Sequence, residues 1–346
     1  MNTVAHIASL LALLALAFVA DLALGSVAIP PGEVLSILSG GGSSTPVWEQ
    51  IVLSLRLPKA LTAVLAGAAL AATGLEMQTL FRNPLAGPFV LGINAGASLG
   101  VALVVLAAGA GAASLLPDVG LPVDIGTVGA GMAGAALVML VVVTVGRRVR
   151  SVVTLLVLGL LIGYATSAAV SILMHFSAAD RIQAFVVWTF GSFGSVGWSR
   201  LGILFGAVVV GLSITAVLVK PLNALLLGET QAVSLGVRPR RVRTLIVISS
   251  ALLAGAVTAF CGPITFIGVA VPHLARSRLH TANHRVLLPA VVLLGAIVAL
   301  FADIVAGLPG LDARLPLNAV TSLLGAPVVA FAVMRSERVR ARGTPS

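Results

Sequence analysis

Residues 57–80 read Leu57-Pro-Lys-Ala-Leu-Thr-Ala-Val-Leu-Ala-Gly-Ala-Ala-Leu-Ala-Ala-Thr-Gly-Leu-Glu-Met-Gln-Thr-Leu80. A membrane-spanning helix needs roughly 20 mostly apolar residues, and this run satisfies that length. Its abundance of Ala and Gly would make a poor core in water. In lipid, by contrast, helices associate by close backbone approach over small residues. The whole chain has the same character: 59% of its 346 residues are apolar and 9% are charged. Soluble domains carry about 25% charged residues, so lipid must be the solvent here.

Further apolar runs lie near 4–24, 88–110, 124–146, 151–175, 200–219, 243–261, 264–278, 286–306 and 316–334. With 57–80 they predict an all-α polytopic membrane protein of about ten transmembrane helices in a single domain, 1–346. The run at 264–278 is short, and Pro272 and His273 are expected to interrupt it. An even number of spans puts both termini on one side.

The distribution of basic residues fixes which side, because cytoplasmic loops carry the excess. Sixteen of the 21 fall on the side of the termini: Arg82, Arg147, Arg148, Arg150, Lys220, Arg238, Arg240, Arg241, Arg243, Arg276, Arg278, Arg285, Arg335, Arg338, Arg340 and Arg342. The other five are Arg56, Lys59, Arg181, Arg200 and Arg314. Both termini are therefore expected in the cytoplasm, with the chain in the inner membrane. The net charge of +10 is a topology signal and not a nucleic-acid footprint, which would need one clustered, solvated face. The first run has no Lys or Arg before it and exceeds a signal-peptide core, so it is expected to be retained.

Leu65-Ala-Gly-Ala68, Ala71 and Gly74 recur 188 positions later as Leu253-Ala-Gly-Ala256, Ala259 and Gly262, and Pro84 and Pro272 share the offset. Coincidence in an Ala/Gly-rich chain competes with an inverted five-plus-five repeat. The prolines favour the repeat.

The longest cytoplasmic stretch, 220–243, contains Gly228-Glu-Thr-Gln-Ala-Val-Ser-Leu-Gly-Val237. Glu229 suits the positive end of a short helix, Gly236 a left-handed C-cap, and Pro239 the start of the next helix. Such a corner presents small apolar residues to a partner's groove or, alternatively, to lipid headgroups.

This run resembles the cytoplasmic coupling loop of the ferric-siderophore/haem/cobalamin (FecCD-type) permeases of ABC importers. The same pattern appears in Arg56-Leu-Pro-Lys59, Phe81-Arg-Asn-Pro-Leu-Ala-Gly-Pro88, Leu91-Gly92, Gly96-Ala97, Trp188 with Gly191-Ser192, Gly262-Pro-Ile and Val271-Pro-His273. His284-Arg285, Asp303, Leu315-Pro316 and Gly325-Ala-Pro327 continue it, so the resemblance covers residues 56–327. It implies a ten-span half-transporter working as a homodimer, with two cytoplasmic ATPase subunits and one extracytoplasmic substrate-binding protein. By carry-over, Glu229, Ala232, Leu235, Gly236 and Val237 would seat in the ATPase. Arg56 and Lys59 would meet carboxylates of the binding protein, with Arg314 as a third contact, although relatives place that residue nearer Gly307.

No phosphate-cradling G-x-x-x-x-G-K-[ST] sequence occurs and no nucleophile–base–orienter set, so the chain is not expected to be an enzyme. It is expected to bind no cofactor of its own, and the resemblance implies that ATP and magnesium belong to the partner ATPase. Cys261 is the single cysteine, read as packing rather than as a reactive thiol, and no metal site is expected. Gly92, Gly96 and Gly100, like Gly159 and Gly163, favour close helix packing, while a smooth pathway wall is the other reading. Glu76 and Asp303 lie inside spans, where an ionisable group is costly and marks a candidate site. Asp303 is expected to make a structural hydrogen bond or an ion pair. Glu76 is either buried and protonated or particular to this transporter.

Ser151 and Thr154 are candidates for a cytoplasmic gate. His273 and His284 are expected at helix ends, and Trp188 and Trp198 at an interface. An ion-driven secondary transporter would need no coupling loop, and a zinc or manganese ABC permease would offer His, Asp and Glu along its pathway. Both readings are disfavoured. The expected mechanism is alternating access, driven through the 220–243 loop.

Overall fold

The computed structural model describes residues 3–107, 123–148, 152–308 and 314–342. Among them are fifteen α-helices and no strand: α1 (Thr3–Ala23), α2 (Pro31–Leu38), α3 (Pro46–Gln50), α4 (Leu57–Phe81), α5 (Ile93–Ala107), α6 (Val123–Arg148), α7 (Val152–His175) and α8 (Ala179–Thr189) lie in the first half. In the second half follow α9 (Trp198–Val217), α10 (Val219–Leu227), α11 (Glu229–Ser234), α12 (Pro239–Cys261), α13 (Ile267–Leu279), α14 (His284–Ala306) and α15 (Leu317–Arg342). A π-helical turn, Ile51–Arg56, runs α3 into α4, and a 3-10 turn, Pro88–Leu91, leads into α5.

Each expected span coincides with a helix: α1, α4, α5, α6, α7, α9, α12, α13, α14 and α15. Among the described residues seven segments are long and apolar enough to cross a membrane by length and composition, and α5 and the apolar part of α15 are shorter. The shortest, α13, has 13 residues, but not because Pro272 interrupts it. Pro272 lies within a continuous helix. The non-helical entry after Cys261 is what shortens it, with Gly262 at φ 77° and Phe266 at φ 67°. A bulky residue at positive φ is strained and persists only where its surroundings hold it. Here Thr265 hydrogen-bonds Asn318 and Ser322 of α15, and Phe266 fills the space beside Gly325.

Two helices form the centre. In their most apolar windows α4 is 83% and α12 78% buried, against 6% for α1 and 17% for α7, which leaves the latter faces to lipid or another chain. The centre is made of small residues. A Cβ at Gly74 would lie 1.6 Å from the Gly268 carbonyl oxygen, and one at Gly67 would lie 2.1 Å from that of Gly295. Backbone therefore rests on backbone where α4 crosses α13 and α14, the mode of association that small residues permit in lipid.

The repeated Leu-Ala-Gly-Ala occupies corresponding crossings. α4 packs on α13 and α14, and α12 on α5 and α6. Gly67 meets α14 at Gly295, while Gly255 meets α6 at Ala135. In a five-plus-five arrangement α14 and α6 are counterparts. The prolines are not: Pro84 lies in the turn after α4, Pro272 inside α13.

Candidate functional site

The stretch 220–243 folds as a helix–corner–helix. Leu222, Ala224 and Leu225 are buried, which seats α10 on the bundle, and Gly228 turns the chain at φ 126° into α11. At the far end of α11 the Val237 amide donates to Ala232 O at 3.0 Å and the Gly236 amide to Val233 O at 2.9 Å. This pair of bonds is a Schellman motif, and Gly236 at φ 79° takes its left-handed position. A side chain there would cost about 1–2 kcal/mol. Val237 packs in the same apolar cluster as Ala232, completing the motif's hydrophobic contact.

That seating corrects one expectation. Ala232 is fully buried within this chain, so it anchors the corner and cannot itself touch a partner. Gly236 and Val237 shape the turn. The exposed apolar side chains are Val233 at 56% and Leu235 at 64%, with Leu226 and Leu227 alongside. Glu229 is the acidic residue in the first turn of α11 and pairs with Arg243 of α12. Beside the corner a groove of about 680 Å³ runs past Glu229, Val233, Val237, Arg238, Arg240, Arg241 and Arg243.

The expected outer contacts are placed differently from the reading above. Arg56 and Lys59 are 7% and 6% exposed. The Arg56 guanidinium donates to Leu22 O at 2.7 Å, to Ala23 O at 3.0 Å and to Val27 O, capping the carbonyl end of α1. Lys59 pairs with Asp303 of α14 and stands 3.9 Å from Asp21 of α1. Both cations are consumed inside the chain, because two buried carboxylates and a helix end require them more than the surface does. Neither can be an exposed docking residue in this arrangement. Arg314, in contrast, is exposed. Asp303 makes an ion pair, one of the two roles expected of it. Asp21 carried no sequence signal beyond a carboxylate at the end of an apolar run.

Glu76 is completely buried. Ser249 Oγ lies 2.7 and 2.8 Å from its two carboxyl oxygens, Ser250 Oγ 2.8 Å from one of them, and Thr215 faces the same group. Three hydroxyls from α9 and α12 thus satisfy the carboxyl of α4. Gly92 and Gly96 are buried at close helix contacts, which fits the packing reading. A Cβ on Gly92 would lie 2.8 Å from Gly159 O, and one on Gly96 would lie 2.4 Å from Val138 of α6. Gly159 packs against the Pro88–Leu91 turn, whereas Gly163 has nothing within 4 Å of its Cβ position. Thr154 is exposed near the start of α7, and Ser151 lies outside the described residues.

Where the carboxyl end of α4 meets α10 and α14, residues come together whose pairing the sequence did not show. His284 is 1% exposed, with Nδ1 2.8 Å from Asn223 Oδ1 and Nε2 2.9 Å from Thr79 Oγ1. Arg276 of α13 bonds Gln78, whose amide donates to Val269 O at 3.1 Å. Arg82 donates to Leu225 O of α10 at 3.0 Å. Only their long-range pairing reveals these contacts, and a single sequence does not contain it.

Away from these centres, Trp198 donates its indole N–H to Leu53 O at 2.9 Å and is half exposed, and Trp188 stacks on Phe185. Cys261 is buried at the end of α12. In the loop before α3, the hydroxyls of Ser44 and Ser43 and the Ser44 amide hold the Glu33 carboxyl below the usual carboxylate range. Among the described residues no group of three His, Cys, Asp or Glu could hold a metal.

Comparison with known proteins agrees with this architecture. The model of the FecCD transport family matches residues 13–335. The vitamin B12 import system permease protein BtuC of Salmonella typhi is 37% identical over 331 residues, 95% of each chain. The protein of the same name from Citrobacter koseri is 35% identical over 338 residues, 97% of this chain and 96% of that one. Among solved structures, an inward-facing transporter assigned to the metal-chelate ABC type superposes with a TM-score of 0.82 at 30% identity, covering 95% of this chain and 98% of that one. PsaBC from Streptococcus pneumoniae shares the fold alone, with a TM-score of 0.53 at 17% identity over 80% of this chain and 90% of that one.

Proposed function

The chain belongs to the FecCD transport family, and from that premise we propose how this ABC-importer permease is driven and what it carries. Two copies surround a central pathway, two cytoplasmic ATPase subunits drive them, and an extracytoplasmic binding protein delivers the substrate. Both termini and the corner at 220–243 face the cytoplasm, in keeping with the excess of Lys and Arg on that side. ATP and magnesium are bound by the partner, and this chain is not an enzyme.

One observation carries the reading. A six-residue helix, α11, is fixed at both ends by turns and pinned from beneath by Ala232, yet it leaves Val233 and Leu235 uncovered among arginines. Burying an exposed Leu stabilises an interface by about 1.5–3 kcal/mol, and Glu229 with Arg243 supplies a polar rim. A rigid apolar knob with a charged edge suits a partner's groove better than it suits lipid headgroups, which would draw the arginines out and leave Glu229 against anionic surface.

The substrate is a bulky metal chelate. Vitamin B12 is named for the two permeases above and metal-chelate for the solved transporter; ferric siderophore and haem belong to the same chemical class. The chain has five His, and among the described residues no group of three His, Cys, Asp or Glu could hold a metal, which suits a cargo whose metal is already fully ligated. It also argues against a bare zinc or manganese ion.

The test is co-purification. Leu235→Asp or Glu229→Arg is expected to abolish recovery of the ATPase with the permease while membrane insertion is unchanged. Full recovery of the ATPase with both variants would overturn the assignment. Binding of cobalamin, a ferric siderophore or haem by the cognate binding protein then decides the cargo.

A further inference from the structure

The coupling corner must act on the bundle through something, and among the described residues α10 packs on α11, α4 and α14, while the chain itself continues into α12. Resting on the reading of α11 as the ATPase contact, we propose that His284, held between Asn223 of α10 and Thr79 of α4, is the positioning residue that transmits displacement of the corner to α4 and α14.

The hydrogen-bond inventory sets the direction of this link. Asn223 Nδ2 donates to Asn283 Oδ1 at 2.9 Å, which fixes the amide so that Oδ1 faces His284. That oxygen accepts the His284 backbone amide at 2.9 Å and the ring Nδ1–H at 2.8 Å. In the neutral ring Nε2 is then an acceptor, and the Thr79 hydroxyl is its donor at 2.9 Å. The same hydroxyl lies 2.8 Å from Leu75 O, one turn back in α4. Its single proton therefore has two acceptors. If His284 moved without α4, the Thr79 proton could pass to Leu75 O, but the buried ring Nε2 would lose its donor, at a cost of about 1–3 kcal/mol. That cost favours α4 following His284.

Capping alone does not account for this arrangement. The α14 N-terminus is already capped by its own Asn283, whose side chain accepts from the Arg285 amide at 3.0 Å. Asn223 adds a bond from 61 residues away. What lies beyond the joint is built to move as a unit. α4 and α14 run antiparallel, tied at one end by Thr79 and His284, at the middle by Gly67 against Gly295, and at the other by Lys59 and Asp303. Arg82 to Leu225 O is a second tether from α4 to α10. Displacement of α11 thus has a continuous hydrogen-bonded route to the far end of α14, where Leu308 is 45% exposed.

The experiment uses the complete complex in lipid, with Leu308→Cys as a thiol reporter; Cys261 is buried and contributes little background. Maleimide labelling is measured without nucleotide and with ATP plus vanadate. A several-fold change in labelling rate is expected in the parent. His284→Ala and the near-isosteric Thr79→Val should retain the ATPase and its hydrolysis but lose that change. Their double variant should do no worse than either, and Thr79→Ser, which keeps the hydroxyl, should restore it. Should His284→Ala fail to insert, Thr79→Val alone decides. A parent indifferent to nucleotide, or Thr79→Val responding like the parent, overturns the proposal. Leu235→Asp separates the two levels: if it detaches the ATPase while Thr79→Val responds normally, only the joint is wrong. If it leaves the ATPase bound, the coupling face itself is wrong.

Discussion

Replacing Lys59 by Met removes the cation shared by Asp21 and Asp303 while keeping most of the side-chain volume. The side chains of Lys59, Asp21 and Asp303 are 8%, 1% and 4% exposed, so no water is at hand to take over. Removing one partner of a buried pair costs about 3–5 kcal/mol, because the charge left behind has nothing to pair with. At about 1.4 kcal/mol per tenfold, that lowers the folded-to-unfolded ratio by roughly a hundredfold or more. Arg56 cannot compensate, since its guanidinium is committed to Leu22 O, Ala23 O and Val27 O. Neutralising the whole set, Lys59→Met with Asp21→Asn and Asp303→Asn, should recover most of the loss, as buried ion networks are worth little net. The measurement is the unfolding midpoint of purified permease under SDS titration, repeated at high salt, where a buried network should respond little. If Lys59→Met unfolds like the parent and instead weakens binding-protein docking at low salt, the interior reading of Lys59 is wrong and surface docking is right.

Three further outcomes follow from the same geometry. Gly74→Leu should abolish accumulation of folded permease, judged by protease resistance in membranes, because its Cβ alone would stand 1.6 Å from Gly268 O; normal accumulation would contradict the backbone contact between α4 and α13. Arg314→Glu should weaken binding-protein docking mainly through the association rate, most visibly at low ionic strength, and an unchanged rate there would remove Arg314 from the interface. Glu76→Gln, which keeps an acceptor for the hydroxyls of Ser249, Ser250 and Thr215, should leave uptake ATP-dependent and insensitive to a protonophore. Uptake that collapses in Glu76→Gln proteoliposomes, or that collapses in the parent with protonophore, would reinstate a gradient-driven mechanism.

Legibility differed between elements for identifiable reasons. The corner at 228–239 could be read residue by residue, because Glu at a helix start, Gly at positive φ and Pro at the next start each answer to the backbone within a few residues. Arg56 and Lys59 could not. Their sequence position says only that two cations precede a span; whether they face water or protein depends on Asp21 and Asp303, which lie 38 and 244 residues from Lys59. Pro272 was misleading in the same way. Pro272 stands past the first turn of α13, and there a proline gives up one backbone hydrogen bond without necessarily ending the helix, which here runs on to Leu279.

The sequence by itself determined the solvent, the all-helical polytopic fold and the shape of the corner at 228–239. Each of these depends on composition or on neighbours along the chain, and lipid enforces them without regard to partners. Tertiary structure alone decided which glycines touch backbone, which cations are spent inside, and how His284 joins α10 to α4. Those outcomes turn on pairs of groups far apart in the chain that meet only at helix crossings, where a shift of a few tenths of an ångström separates a contact from a clash.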